Sequence, residues 1–176
     1  CGDDSEHAGA MELWHNDPEE GPDMTLQDGY YGTTGDTFAF ISRSTSFRYG
    51  TGLPGRTWAD EAPVFMADLG RGSGFLRAES AVKVGINRGF AMPCSASNGQ
   101  VYVLAMLSAL ATPFASQIDV WQPNAERTQL VHSLAFSAEQ TDTVSPDDAP
   151  LALDSPVGQV FSTGVPALQG RSMLIP

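Results

Sequence analysis

The side chains that most often carry out chemistry are few in this sequence, and their spacing keeps them apart. His7, His15 and His132 show no metal-ligand spacing among themselves or with the two cysteines, Cys1 and Cys94. Structural zinc sites need closely spaced cysteine and histidine ligands. We therefore predict no metal site and no cofactor, and we expect each histidine to lie at the surface or at a sheet edge.

Cys94 lies between Pro93 and Ser95, in a segment with the composition of a β-strand. A reactive cysteine needs neighbours that lower its pKa, such as a histidine or a basic residue. We expect Cys94 to be a small, half-buried strand residue. An exposed and reactive Cys94 would instead favour an enzyme.

Three further clusters lack the geometry of catalytic motifs. Residues 42–46 are rich in hydroxyl groups but contain no Gly-x-Ser-x-Gly elbow. Asp60 and Glu61 are adjacent, so their carboxylates do not converge on one point. Residues 70–74 are rich in glycine and precede a helix, where backbone amides can meet an anion. They lack the lysine of a phosphate-binding loop, which favours a mobile loop. The sequence therefore predicts that the protein is not an enzyme.

The charge balance limits the partners that the protein can bind. The chain has 176 residues and a formal net charge of −12, and Lys83 is its only lysine. Such a surface repels nucleic-acid phosphates and anionic lipid head groups, so we exclude nucleic acid and membrane as primary partners. Two unrelated cysteines suit a reducing compartment, and we predict a cytoplasmic location.

Hydrophobic periodicity predicts two strands and two helices in the first half of the chain. Alternation predicts strands at residues 10–15 and 24–31, joined as a hairpin. A helix is expected within residues 36–47, with Asp36 as its N-cap. The clearest helix is residues 74–84, and Gly85 stops it. Its inner face is predicted to hold Phe75, Ala78, Ala81 and Val82, and its outer face Arg77, Glu79 and Lys83.

Residues 47–69 are the stretch around which these elements are organised. Gly50, Gly52 and Gly55 permit backbone angles or close approaches that other residues resist. Pro54 suits the first turn of a helix, and Pro63 suits the start of a strand. We expect a loop, a short helix and an edge strand in this order.

This stretch resembles the GAF domain family of small-molecule sensor modules. Members commonly carry a Phe-x-x-Gly-x-Gly-type loop, a helix, and then a strand that begins with Pro-Val. The resemblance extends over roughly residues 10–112, and it implies an α+β fold with a GAF-like (profilin-like) central antiparallel β-sheet and packed helices. The residues on the family pattern are Phe47, Gly52, Leu53, Gly55, Trp58, Pro63, Val64 and Asp68.

In GAF domains the ligand lies between the sheet and the segments that cross over it. In this chain the resemblance places that cover at residues 70–85. Arg48 and Arg77 are the candidates for pairing with an anionic group of a ligand. The motif of cyclic-nucleotide-binding members is missing from the sequence. The implied pocket wall is Trp58, Phe65, Phe75, Ala78, Val82, Phe90, Met92 and Tyr102.

The C-terminal part resembles the first part of the same pattern. Residues 118–124 resemble residues 11–17, residues 158–168 resemble residues 55–65, and residues 129–137 alternate like a second strand. We therefore predict a GAF-like domain at 1–112 and an incomplete second repeat at 113–176, packed on the first domain or on a partner chain.

Two functions remain open on these residues. The first is a sensory or regulatory module for signal transduction, which binds an unidentified small molecule non-covalently and transmits a conformational change. The second is a protein-interaction or dimerisation module whose pocket is filled by its own side chains and which has no ligand. A homodimer fits either function.

Overall fold

The computed structural model describes residues 9–32, 34–70, 74–95, 99–109, 111–137 and 148–176. The chain forms two compact units, residues 1–116 and 117–176, and each is described by itself below. Among the described residues, no helix has the length and apolar character needed to cross a membrane.

Unit 1 is built on one antiparallel six-stranded sheet in the order β3-β2-β1-β6-β5-β4. The central strands β1 and β6 pair along their whole length, from Gly9 opposite Ser108 to Asn16 opposite Val101. The α+β class predicted from the sequence is confirmed. The elements are β1 Gly9–Asn16, β2 Met24–Tyr30, α1 Gly35–Arg43, β3 Ser46–Phe47, α2 Gly52–Asp60, β4 Val64–Met66, α3 Ala78–Lys83, β5 Arg88–Ser95 and β6 Val101–Ser108.

One face of the sheet forms the core together with the three helices. Successive strand residues point to opposite faces, so every second residue of β1 and β6 contributes to it. Glu12 stands opposite Ala105, which stands opposite Ala91 of β5, and all three are fully buried. The helices add apolar side chains to the same cluster. The main contributors are Ala10, Trp14, Phe38, Phe47, Leu53, Phe75, Ala81, Ile86, Val103 and Leu107.

The two predicted helices are shorter in the structure, and the predicted inner face of the second helix, α3, is wrong. The cap of α1 is Thr34, and Asp36 lies in the first turn. Helix α3 begins only at Ala78, so Arg77 lies in the preceding turn and the helical periodicity does not apply to it. Arg77 is buried, whereas Val82 is 59% exposed. Gly85 follows the helix in the left-handed region and ends it, as predicted.

The stretch at residues 47–69 folds as a loop, a helix and an edge strand, as the sequence predicts. The loop closes on itself because the amide of Gly50 donates a 2.8 Å hydrogen bond to the carbonyl of Gly55. A Cβ at Gly55 would overlap the carbonyl oxygen of Arg48. Only glycine allows this close approach between the helix and the loop.

Unit 2 contains a three-stranded antiparallel sheet in the order β7-β8-β9, one helix and a separate hairpin. Ser155 caps the helix by accepting a hydrogen bond from the amide of Gly158, and Gly164 ends it in the left-handed region. The elements are β7 Gln117–Pro123, β8 Gln129–Ser137, β9 Leu151–Ala152, α4 Pro156–Thr163, β10 Ala167–Gln169 and β11 Ser172–Leu174.

The two units share local irregularities at matching points of their sequences. The register of β1 and β2 shifts between Leu13 and Trp14, and that of β7 and β8 shifts between Val120 and Trp121. A Cβ at Gly158 of α4 would lie 2.6 Å from the carbonyl oxygen of Ala152, which repeats the close approach at Gly55.

The close approach at Gly55 leads to a stability prediction. Gly55→Ala should lower the free energy of unfolding by about 1–3 kcal/mol, because the new methyl group meets rigid backbone and outweighs the better helix propensity of alanine. Urea unfolding measures the change. The control is Gly21→Ala, where the added Cβ has nothing within 4 Å. Equal stability of the two variants would contradict this account of the turn.

Candidate functional site

The site is centred on Glu12, a carboxylate in the middle of the sheet. Glu12 lies on β1 between Ala10 and Trp14 on the core face and is fully buried. Its Oε2 accepts a 3.1 Å hydrogen bond from the indole of Trp14, and its Oε1 accepts a 3.2 Å bond from the hydroxyl of Tyr31. A buried charge must be paired, so these neutral donors alone do not explain it.

Arg77 supplies the opposite charge from the turn before α3. Its Nη2 donates to Glu12 Oε2 at 2.8 Å and its Nη1 donates to Glu12 Oε1, which makes a two-point ion pair. Nη1 also donates to the hydroxyl of Ser42 on α1. The third nitrogen, Nε, is buried and has no hydrogen-bond partner among the described residues.

Four aromatic rings surround the Arg77 guanidinium. Its central carbon lies 5.3 Å from the ring centre of Trp14 and 5.1 Å from that of Phe38. The corresponding distances are 5.7 Å to Phe47 and 5.0 Å to Phe75. A guanidinium over an aromatic face is attracted by the negative charge of the ring face, and more strongly away from water. We call this arrangement, with the Glu12 carboxylate, the cation cage.

The segment that carries Arg77 includes the short helix α3. Gly74 and Gly85 flank it, both in the left-handed region with φ of +77° and +79°. Between them, Phe75, Arg77 and Ala81 are buried. The six-residue helix α3 has no side-chain hydrogen bond at its N-cap. The ion pair with Glu12 and these buried side chains hold the segment on the core.

The structure divides the predicted pocket residues into four groups. Phe75 and Arg77 belong to the cation cage. Trp58 and Ala78 are partly buried and pack against the core cluster, and Trp58 also meets Tyr49 edge to face at 5.1 Å. Arg48 and Val82 are exposed.

Four other predicted pocket residues lie on the opposite face of the sheet. Phe65 pairs with Phe90 across β4 and β5, one residue out of phase with the core-facing Ala91. Met92 and Tyr102 point to the same face as Phe65 and Phe90. The ring of Tyr102 stacks on that of His15, with 4.4 Å between the ring centres. Phe90 is buried there beside Phe114, with 6.2 Å between the ring centres. The predicted wall thus mixed two faces, because neighbouring strand residues point in opposite directions.

The predicted role of Arg77 as the partner of a ligand anion does not match its environment. Both of its terminal nitrogens are already bonded to Glu12, a carboxylate of the same chain. The sequence analysis missed Glu12, Trp14, Tyr31 and Ser42. One signal was available, since Glu12 shares its strand face with the apolar Ala10 and Trp14 and is therefore a charge on a face that must be buried.

Other titratable groups lie outside the cation cage. Burial raises the pKa of the Cys94 thiol, which lowers its reactivity at neutral pH. His132 is buried in unit 2 rather than at the surface, with its ring nitrogens 2.7 Å from Asp148 and 3.1 Å from Asp119. His7 and residues 71–73 of the glycine-rich loop lie outside the described residues. No group of His, Cys, Asp and Glu within the described ranges could hold a metal ion.

The antiparallel sheet, with helices over one face and a polar site beneath them, defines unit 1 as an α+β domain. Its fold is GAF-like, as the sequence resemblance predicts. No family model and no curated protein matches the chain in sequence.

Several solved structures resemble the chain at low identity, and they include GAF domains. At this level the similarity concerns the fold alone. The chain spans about half the length of the first two of the following three structures. The first is the free methionine-R-sulfoxide reductase from Neisseria meningitidis with its substrate, at 15% identity over 56% of this chain and 51% of that chain, with a TM-score of 0.42. The second is the GAF domain of a phosphoenolpyruvate-protein phosphotransferase from Coxiella burnetii, at 15% identity over 57% of this chain and 56% of that chain, with a TM-score of 0.43. The third is the GAF domain of a two-component sensor histidine kinase from Bacillus halodurans, at 12% identity over 62% of this chain and 69% of that chain, with a TM-score of 0.45.

The buried ion pair leads to a prediction about stability. Arg77→Met should lower the free energy of unfolding by about 3–5 kcal/mol, because it leaves the Glu12 carboxylate buried without a counter-charge. Glu12→Gln together with Arg77→Met should recover part of this loss, since neither charge then remains. Urea unfolding of both single variants and of the double variant measures the coupling. Additive losses would refute a direct interaction.

Tyr31 leads to a prediction about alkaline pH. Burial, and then the Glu12 charge, raise the pKa of Tyr31 to about 12 from 10.0. The unfolded chain ionises first, so this contribution to stability is complete below pH 10 and is lost between pH 10 and about 12. Tyr31→Phe should flatten the loss of stability in that range. Tyr30→Phe, at a side chain 75% exposed, serves as the control. An unchanged pH profile for Tyr31→Phe would contradict the assignment.

Proposed function

We propose that unit 1 is a sensory or regulatory module in which residues 74–85 move when a small molecule binds between them and the sheet. The observation that carries this proposal is the charged side chain of Arg77, held in a buried cage by a short segment between two left-handed glycines. The cage lies where the GAF resemblance places the ligand.

The buried ion pair sets the balance between a closed and an open cover. Moving an arginine and a glutamate out of water costs several kcal/mol per ion, and the ion pair and rings repay this cost only while the geometry holds. A ligand that replaces either interaction can therefore shift the balance between a closed and an open cover. Displacement of the cover is the conformational change that such a module transmits.

The alternative is an interaction module without a ligand. The same cage favours this alternative, because the Arg77 side chain and the aromatic rings around it fill the space under the cover. In this case the ion pair only fixes the cover, and residues 74–85 open no more readily than the central strands.

For unit 2 we propose an incomplete second copy of the same pattern. The shared register shift before Trp14 and Trp121 and the shared close approach at Gly55 and Gly158 support it. A unit with three short strands in one sheet buries little apolar area, so we expect it to need support from unit 1 or from another chain.

The test of the sensor proposal combines hydrogen exchange with a ligand screen. Amides of residues 75–86 should exchange faster than those of β1 and β6 in the free protein. A panel of neutral, anionic and cationic metabolites should contain a compound that changes the amide shifts of residues 75–86 and raises the melting temperature.

The outcome that favours the alternative is equally specific. If residues 75–86 exchange only as slowly as β1 and β6, and no compound in the panel perturbs them, the cover is part of a closed core. The sensor proposal is then rejected for unit 1.

A further inference from the structure

We propose that the ligand of unit 1 is a cation of the guanidino class and that Arg77 occupies its place in the closed state. This inference rests on the proposed function and adds the chemical class of the ligand. Arg77 then acts as a built-in competitor, which leaves the cage when a free guanidino compound enters.

A buried negative charge remains when Arg77 leaves the cage. The Glu12 carboxylate stays on β1 at the centre of the sheet, still oriented by the indole of Trp14 and the hydroxyl of Tyr31. An uncompensated buried carboxylate is costly, so an entering cation is stabilised there and an anion is repelled. The net charge of −12 also attracts cations to the protein.

Most of the aromatic lining also stays behind when Arg77 leaves. Phe75 belongs to the moving segment, but Trp14, Phe38 and Phe47 belong to β1, α1 and β3. The rings of these three lie 5.1–5.7 Å from the guanidinium carbon. Three aromatic rings around the guanidinium position, next to a carboxylate, form an environment that a cation stabilises and a neutral polar molecule does not.

The hydrogen-bond pattern around Glu12 selects a guanidino group among cations. Glu12 presents both oxygens to one planar donor group, and the Ser42 hydroxyl accepts a further hydrogen bond beside them. A planar fork of N–H donors matches this pattern, whereas a quaternary ammonium has no donor and would leave these acceptors unpaired. Among the described residues, Nε of Arg77 has no hydrogen-bond partner, so the fit of Arg77 in the cage is incomplete. A free guanidino compound is not restricted by the backbone of the segment.

The wild-type response is the main test. Methylguanidinium should change the amide shifts of residues 75–86 and speed their exchange, because it holds the cover open. N-methylurea has the same planar shape without the charge and should have no effect at equal concentration. Tetramethylammonium, a cation without donors, should act at least ten-fold more weakly.

Variants test the competition. Arg77→Ala should bind methylguanidinium at least ten-fold more tightly than the wild type, because the competitor is gone. Adding Glu12→Gln to Arg77→Ala should abolish this binding. Arg56→Ala removes the same charge from an exposed position of α2 and should bind as the wild type does. If Arg77→Ala does not fold, Arg77→Lys replaces it, and a several-fold gain is expected because lysine lacks the planar fork.

The outcomes separate this inference from the function on which it rests. Binding of methylguanidinium to Arg77→Ala without any response of the wild type overturns the inference, because the variant has then only created a cavity. If a neutral or anionic compound moves residues 75–86 and methylguanidinium does not, the sensor proposal stands and the cation class is wrong. If no compound moves the segment, both fail.

Discussion

The ion pair between Glu12 and Arg77 is the constraint on which the arrangement of unit 1 depends. It joins the centre of the sheet to the segment before α3. The aromatic rings around the Arg77 guanidinium come from β1, α1, β3 and that segment. Because a buried pair gains stability only in one geometry, it fixes how the cover sits on the sheet. Apolar contacts alone would allow several similar packings.

Much of the fold was predictable because it depends on local rules. Alternating strands, the Gly55 turn and the Gly85 helix end each follow from the residue at that position. The length of α3 was not predictable in the same way. Periodicity continued through residues 74–77, but Arg77 turns inward toward Glu12, which lies far away in the sequence and close in space. Only tertiary contacts reveal such a partner.

The chemistry of the candidate site was not predicted from the sequence. The resemblance predicts a ligand site beneath residues 70–85, and Phe75 and Arg77 of the cation cage belong to this stretch. The sequence did not show which residues of β5 and β6 face the helices, because both faces of these strands carry apolar residues such as Phe90 and Ala91. Sequence alternation does not reveal which face a helix covers when neither face is polar. The site was also expected to hold an anion, whereas its fixed charge is the Glu12 carboxylate.

The position of Trp14 gives the protein an internal optical probe. Its indole is fully buried, donates a hydrogen bond to Glu12 and lies 5.3 Å from the Arg77 guanidinium carbon. The other two tryptophans, Trp58 and Trp121, are partly exposed. Indole emission responds to nearby charge and to water, so we expect the buried Trp14 to supply the short-wavelength part of the fluorescence. Withdrawal of the guanidinium can thus be followed in real time without any label.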